Sequence, residues 1–247
     1  MDEYLERIYA RYSEVRPCRV APKTTGELLG GRERVLRKVF GPWLPCNKDA
    51  KILDIGCGYG EFLYFLQQEG YRNAAGIDLN RKQLDVAEYL GVRNARYGEG
   101  KDSLLRTHEE FDCILAIDLL EHLRREEILA FLDLVHGALR PAGRFICQVP
   151  NLAAFYSPLF YMDFSHETAF TAPSLKQVLE VANFSHVRVY PRGPVIHGAK
   201  SAVRFVLWKF ISSGLRFIQT VEGGPRHSLD SIYTADILAV ADKDQAA

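Results

Sequence analysis

The chain has 247 residues, enough for one large α/β domain with additions or for two small domains. Lys plus Arg and Asp plus Glu balance at 31 each, so no global field draws the protein to a polyanion, and no nucleic-acid partner is expected. Apolar residues at 47% and charged residues at 25% fit a globular protein; the acidic N-terminus is not expected to be a signal peptide, and no run reaches the ~18 apolar residues of a membrane span.

Residues 2–15 set Tyr4, Leu5, Ile8, Tyr9 and Tyr12 among Glu and Arg, which predicts a helix with an aromatic face. Pro17, Pro22, Gly26 and Gly30 make 16–30 a loop; a helix from Gly31 to Phe40 then buries Val35, Leu36 and Val39 and stops at Gly41-Pro42. Ile52, Leu53 and Ile55 predict a buried parallel strand over 51–55, followed by Gly56, Gly58 and Gly60 and a helix to about Gln68, closed by Gly70. A strand that breaks into glycines and restarts as a helix forms a ligand cradle, because the backbone comes close to the ligand and the helix start offers N–H groups. The dinucleotide fingerprint needs its third glycine five residues after the first, and that position here is Glu61. The spacing is instead G-x-G-x-G with Asp54 ahead of it, a carboxylate that suits an ammonium better than a pyrophosphate.

A second strand, Ala74 to Ile77, ends at Asp78, 22 residues after Gly56. That carboxylate is placed to accept from two ribose hydroxyls; capping the helix from 81 to 90 is the alternative. A short strand over 95–97 leads to Gly98-Glu99-Gly100, with Ser103 as a cap for a short helix. Phe111 to Ile117 is a continuous apolar strand, covered on both faces, that ends in Asp118-Leu119-Leu120-Glu121-His122. Asp118 and His122 stand at i, i+4, but no third metal ligand with suitable spacing is evident. A helix over 125–139 buries Ile128, Phe131, Leu132, Leu134, Val135 and Leu139, and Pro141-Ala142-Gly143 turns into a strand over 144–149. A helix over 172–182 turns Leu175, Val178, Leu179 and Val181 inward; strands over 186–190 and 232–241 follow, and 242–247 is expected to be a disordered tail. The five cysteines (Cys18, Cys46, Cys57, Cys113, Cys147) form no C-x-x-C pair and read as reduced apolar side chains of a cytosolic protein.

D-I-G-C-G-Y-G, G-I-D-L-N, F-D-C-I-L-A-I-D-L-L-E-H-L and L-R-P-A-G-R-F-I-C-Q-V-P-N resemble, in order and spacing, the motifs of class I S-adenosylmethionine (SAM)-dependent methyltransferases over about 51–184. The resemblance implies an α/β, Rossmann-like, doubly wound seven-stranded sheet, mostly parallel with the last strand antiparallel, plus N-terminal helices and a helical insertion before the last strand. It divides the chain into an N-terminal helical cap (1–45) and a methyltransferase domain (46–247), with a lid over 150–171 and the insertion over about 192–230. It implies SAM as cofactor, S-adenosylhomocysteine as product and no metal. Asp54, Gly56, Cys57, Gly58, Gly60 and Asp78 would hold the cofactor. Leu79 would pack on the adenine and Glu99 would meet its amino group. Asp118 and Leu119 would line the methionine part, and Arg32 or Arg34 would reach the carboxylate unless both lie on a solvated helix face. His122 is either a group behind the site or a helix cap.

The segment after the fifth strand is dense in aromatics (Phe155, Tyr156, Phe160, Tyr161, Phe164, Phe170) without a period of 2 or 3.6, which predicts an irregular lid. Methyl transfer chiefly requires donor and acceptor to be held in contact, but a hydroxyl acceptor must also lose a proton, and histidine is the commonest base. His166 is the base candidate, with Asp163 or Glu167 orienting it or acting directly; tying down the lid is the alternative role. The S-H-E-x-x-x-F-T run resembles small-molecule and sugar O-methyltransferases. The expected reaction is metal-independent methyl transfer to a hydroxyl of a small-molecule, sugar or glycolipid acceptor, similar to enzymes of polysaccharide and quinone-precursor pathways. The rivals are N-methylation of an amino sugar or other small molecule, and a non-catalytic SAM-binding scaffold. In 200–221, Val203, Val206, Leu207, Phe210, Phe217, Ile218 and Val221 share one arc of a helix, with Lys209, Ser212, Arg216, Gln219 and Thr220 opposite. This helix packs on its own domain, forms a homodimer, or contacts a membrane surface. The expected location is the cytoplasm, including the inner face of the membrane.

Overall fold

The computed structural model describes residues 21–155, 159–224 and 232–245, together with Tyr4, Arg7, Ile8 and Arg11, which have helical backbone. The rest of the expected 2–15 helix, Cys18, Tyr156 of the lid and 225–231 of the insertion lie outside the described residues.

Alternation along the strands sorts the core into two layers. Leu53, Ile55, Ile114, Ala116, Phe145 and Cys147 point to one face, and Ile52, Cys113, Leu115 and Ile146 to the other. The strands are β1 (Lys51–Ile55), β2 (Asn73–Asp78), β3 (Ala95–Tyr97), β4 (Phe111–Ile117), β5 (Leu139–Pro150), β6 (Ser185–Pro191) and β7 (Asp236–Asp242). They form a seven-stranded sheet in the order β3-β2-β1-β4-β5-β7-β6. β1 to β5 pair in parallel, and β7 is antiparallel to both β5 and β6. This is the sheet expected from the sequence.

On the first face lie α5 (Gly100–Leu105), α6 (Arg125–Ala138) and α7 (Ala172–Val181), through Leu104, Phe131, Leu132, Leu175 and Leu179. On the second lie α1 (Thr25–Leu29), α2 (Glu33–Val39), α3 (Glu61–Gln68) and α4 (Arg81–Tyr89), through Leu28, Leu36, Phe62, Phe65 and Ala87. Helix α8 (Ala199–Gly223) is inserted between β6 and β7.

Four expectations are corrected. Residues 25–29 are a helix rather than loop, because Thr24 accepts from the Glu27 N–H and the Glu27 carboxylate takes the Lys23 N–H. Ser103 does not cap α5; it lies inside that helix, which begins after Glu99. Val181 points outward at 59% exposure. The start of the expected tail is held: Asp242 closes β7 and takes the Arg144 guanidinium, and Lys243 reaches Glu109, while 246–247 lie outside the described residues.

Candidate cofactor and acceptor site

The chain leaves β1 toward β2 and β4 toward β5, so the sheet order reverses between β1 and β4. Ligands of open α/β sheets sit beyond the carboxyl ends of the strands at such a point. A cavity of about 340 Å³ opens there, walled by the β1–α3 turn, the tips of β2 and β4, Gln148 of β5, and Arg192 and Asp236 beside β6 and β7.

The glycine turn is built for close approach. Gly58 lines the cavity at φ +55, and a Cβ on it would lie 2.8 Å from Gln83 Oε1. Gly60 starts α3 at φ +73, where a Cβ would meet Val92 at 2.7 Å. The left-handed backbone disfavours a side chain at both positions, and at Gly60 the branched Val92 also denies the space. Asp78 Oδ2 accepts from the Gly58 N–H (2.7 Å) and Oδ1 from the Asn80 N–H (2.7 Å), which locks the carboxylate against the turn. A carboxylate oxygen can accept more than one hydrogen bond. The alternative, capping α4, falls to Asn80, whose side chain accepts from the Gln83 N–H. Leu79 lines the same end at 46% exposure.

Asp54 is 2% exposed in the cavity wall. Burial, then the nearby Asp78 and Glu61 carboxylates, push its carboxyl up to about 8. A bound cation would reverse that, so the pocket is electrostatically suited to the ammonium of SAM. Cys57 also lines the cavity, its thiol held well above the usual range by burial and by Asp54 and Asp78. Arg32 lies in the cavity wall and pairs with Glu61. Arg34 is exposed and is not part of the wall. Glu99 is exposed too; its neighbours Gly98 and Gly100 form the wall, so the structure does not bring its carboxylate to the cavity.

The far end gathers Asp118, Leu119, His122, Gln148, Arg192 and Asp236. Gln148 Nε2 donates to Asp118 Oδ1 (2.7 Å), while its buried Oε1 has no hydrogen-bond partner among the described residues. Such an orphan costs about 1–3 kcal/mol and suits a ligand donor. Burial and Asp118 push the Asp236 carboxyl up to about 6, against the opposing Arg192 guanidinium.

The lid reaches this end by pinning itself to the turn after β4. The Glu167 and Thr168 N–H groups donate to the Glu121 carbonyl (2.7 and 3.0 Å), and Thr168 Oγ1 donates to the Leu123 carbonyl. Ser165 Oγ donates to Asp163 Oδ1 (2.6 Å) and lies 3.0 Å from His122 Nδ1. Its only hydrogen being spent on Asp163, it accepts from His122, so Nδ1 of His122 carries the proton and Nε2 the lone pair. His166 Nδ1 lies 2.7 Å from the Phe160 carbonyl, which can only accept, so its Nε2 is likewise the basic atom. The two imidazoles meet edge to face at 4.7 Å, and His166 Nε2 is 4.0 Å from Glu121 Oε1. His122 lines the cavity; the His166 side chain is buried against it, and Glu167 is exposed and is not part of the wall. Glu121, His122 and His166 each offer an atom able to bind a metal, all within 4.8 Å of one another, so the structure groups His122 with Glu121 and with His166 of the lid rather than with Asp118.

A doubly wound sheet of this strand order, with a glycine turn and two carboxylates, Asp54 and Asp78, at the strand ends facing its cavity, is that of a class I SAM-dependent methyltransferase. A methyltransferase-domain family matches residues 28–189, and the chain belongs to it. The Schizosaccharomyces pombe small RNA 2′-O-methyltransferase is 30% identical over 172 residues, 63% of this chain and 42% of that protein. A ubiquinone biosynthesis O-methyltransferase from Xylella fastidiosa is 31% identical over 113 residues, 43% of this chain and 45% of that protein. The chain thus spans under half the length of either. A SAM-dependent methyltransferase from Archaeoglobus fulgidus has the same fold, with a TM-score of 0.64 at 22% identity over 88% of this chain and 97% of that one.

Proposed function

We propose that the protein transfers the methyl group of SAM to a hydroxyl of a small-molecule acceptor of sugar or glycolipid type. The observation that carries this reading is His122 in the cavity wall, with Nδ1 held by Ser165, whose hydroxyl in turn donates to Asp163, so that Nε2 is the basic ring atom. When bound, SAM supplies an electrophilic methyl group on its sulfonium. Asp54 holds its ammonium and Asp78 its ribose hydroxyls; Leu79 flanks the adenine, and Asp118 and Leu119 line the methionine arm. The acceptor proton passes to a histidine Nε2, either of His122 directly or of His166 behind it, and Asp163 stabilises the resulting imidazolium of His122 through Ser165. The O-methyltransferase names of both relatives favour oxygen as the target. Residues 1–45 serve as cap and 150–171 as lid.

The test is methyl transfer from labelled SAM to a panel of sugar, glycolipid and amine acceptors. O-methyl product is expected, with His122→Ala or His166→Ala lowering turnover by about 10²–10⁴ while SAM affinity stays nearly constant. N-methyl product, or no SAM binding by calorimetry, overturns the reading.

A second reading is favoured by the Glu121–His122–His166 cluster. Metal-ligating histidines characteristically donate their other ring N–H to an oxygen, as both do here. In that reading the three hold a divalent cation that lowers the pKa of the acceptor hydroxyl. Loss of activity in chelator and its return with added metal would select it; activity indifferent to chelator selects the histidine base.

A further inference from the structure

Helix α8 runs for 25 residues. The side it turns to the protein repeats at i, i+4, i+7 and i+11: Ser201 and Ser212 are buried, while Phe205, Trp208, Leu215 and Gln219 are half-buried. The serines lose nothing there, since Ser201 donates to the Gly198 carbonyl (2.7 Å) and Ser212 to the Lys209 carbonyl (3.1 Å) of their own helix. At about 100° per residue, the opposite side presents Val203, Val206, Phe210, Phe217, Ile218 and Val221. These six are 51–73% exposed. A helix docked on its own domain buries its apolar arc; α8 points it at solvent.

Cations border this arc on both sides. Lys200 and Arg204 lie at one edge of the arc, and Lys209 and Arg216 lie on the other flank, between the arc and the docked side, against a single acid, Glu222. An apolar stripe with basic shoulders is complementary to an anionic lipid surface: the stripe enters the acyl boundary while the cations reach the phosphates. A second copy of α8 is a poorer occupant, because a two-fold pairing would set one set of four cations against another with one acid each. Among the described residues no helix is long and apolar enough to cross a membrane, so the contact is in-plane.

We propose that α8 is a membrane-docking helix that seats the protein on an anionic bilayer. The inference stands on α8 alone and is independent of the methyl acceptor. It also orients the site: the Arg192 N–H donates to the Asp236 carbonyl (3.4 Å) where the chain leaves β6 and enters β7, and both residues line the cavity. The insertion therefore springs from the cavity rim.

Co-sedimentation of the full chain with phosphatidylcholine vesicles, with and without phosphatidylglycerol, tests this. The protein is expected to pellet with the anionic vesicles and to be released by salt. Phe210→Glu with Phe217→Glu is expected to abolish pelleting, and Lys209→Ala with Arg216→Ala to weaken it roughly fivefold per charge. Unchanged thermal melting by circular dichroism shows that each variant is folded. Wild-type protein left in the supernatant, or a double Glu variant that still pellets, overturns the proposal. So does a stable dimer in light scattering that the Glu substitutions dissociate, with no vesicle binding.

Discussion

Asp54 carries the strongest electrostatic consequence in the chain. Its carboxyl moves from 3.8 to about 8 when the cofactor-free protein folds, so the folded state binds more protons than the unfolded state across that window. This group therefore makes the stability of the cofactor-free protein fall as pH rises to about 8, and above that the buried thiols of Cys57, Cys113 and Cys147, all raised, continue the fall. Asp236, raised to about 6, adds the same sign lower down, and His136, depressed from 6.5 by burial, adds the opposite sign below that value. Between about 6.5 and 8 the slope belongs to Asp54, and Asp54→Asn should flatten it in melting temperature measured against pH. Cation binding draws the proton off, so SAM affinity should rise up to about pH 8, and calorimetry in buffers of different ionisation enthalpy should detect proton release. Losing that charged contact in Asp54→Asn should weaken SAM about 10- to 100-fold. Cys57 is the complementary case: its raised thiol keeps a nucleophile protonated beside an alkylating cofactor. A thiol reagent at neutral pH should label exposed Cys46 and spare Cys57, as read by mass spectrometry. Asp54, Asp78 and Asp118 were legible because each sits at the tip of an apolar run. Gln148 left a fainter signal, a lone amide within Phe145-Ile146-Cys147-Gln148-Val149. Arg192 and Asp236 left none, because their meeting depends on the antiparallel register of β6 and β7.

At the scale of elements, the β1–α3 turn and α8 respond to opposite logic. The turn is specified by space: Gly60→Ala forces a side chain into a left-handed backbone and into Val92, at about 1–3 kcal/mol. For a chain of this size the melting temperature should drop by several degrees in calorimetry; an unchanged value would remove Gly60 from the account. The turn was legible since glycine spacing records backbone conformation. Helix α8 was legible in extent but not in orientation. The apolar arc marked a helix, yet the side that docks is the one with Ser201 and Ser212, whose hydroxyls are satisfied within the helix and so tolerate burial. Helix α1 hid behind Gly26 and Gly30, although Thr24 and Glu27 spelled out its capping box. The turn expected over 141–143 is instead part of β5. Phe111 pairs with Leu139 and Cys113 with Arg144, so the strand bulges out where the turn residues stand.

The whole molecule inherits its site from strand order. With β1 and β4 adjacent and their chains diverging, one opening forms beyond the strand ends, and α2 and the two ends of the insertion border it. That much followed from motif order, since four motifs in sequence fix a doubly wound sheet. The end of the cavity at His122 did not, because it is assembled by the lid folding back on Glu121 rather than by any local pattern. The β6–β7 junction has one more implication. Pro191 pairs with Ile237, and the Arg192 N–H meets the Asp236 carbonyl, so the insertion leaves and rejoins the sheet at a single hydrogen-bonded rung. Replacing residues 194–234 by a tight hairpin turn should preserve the seven strands and SAM binding while abolishing vesicle binding. Anchor and catalyst are then detachable parts, open to exchange by recombination at one hairpin without re-laying the sheet.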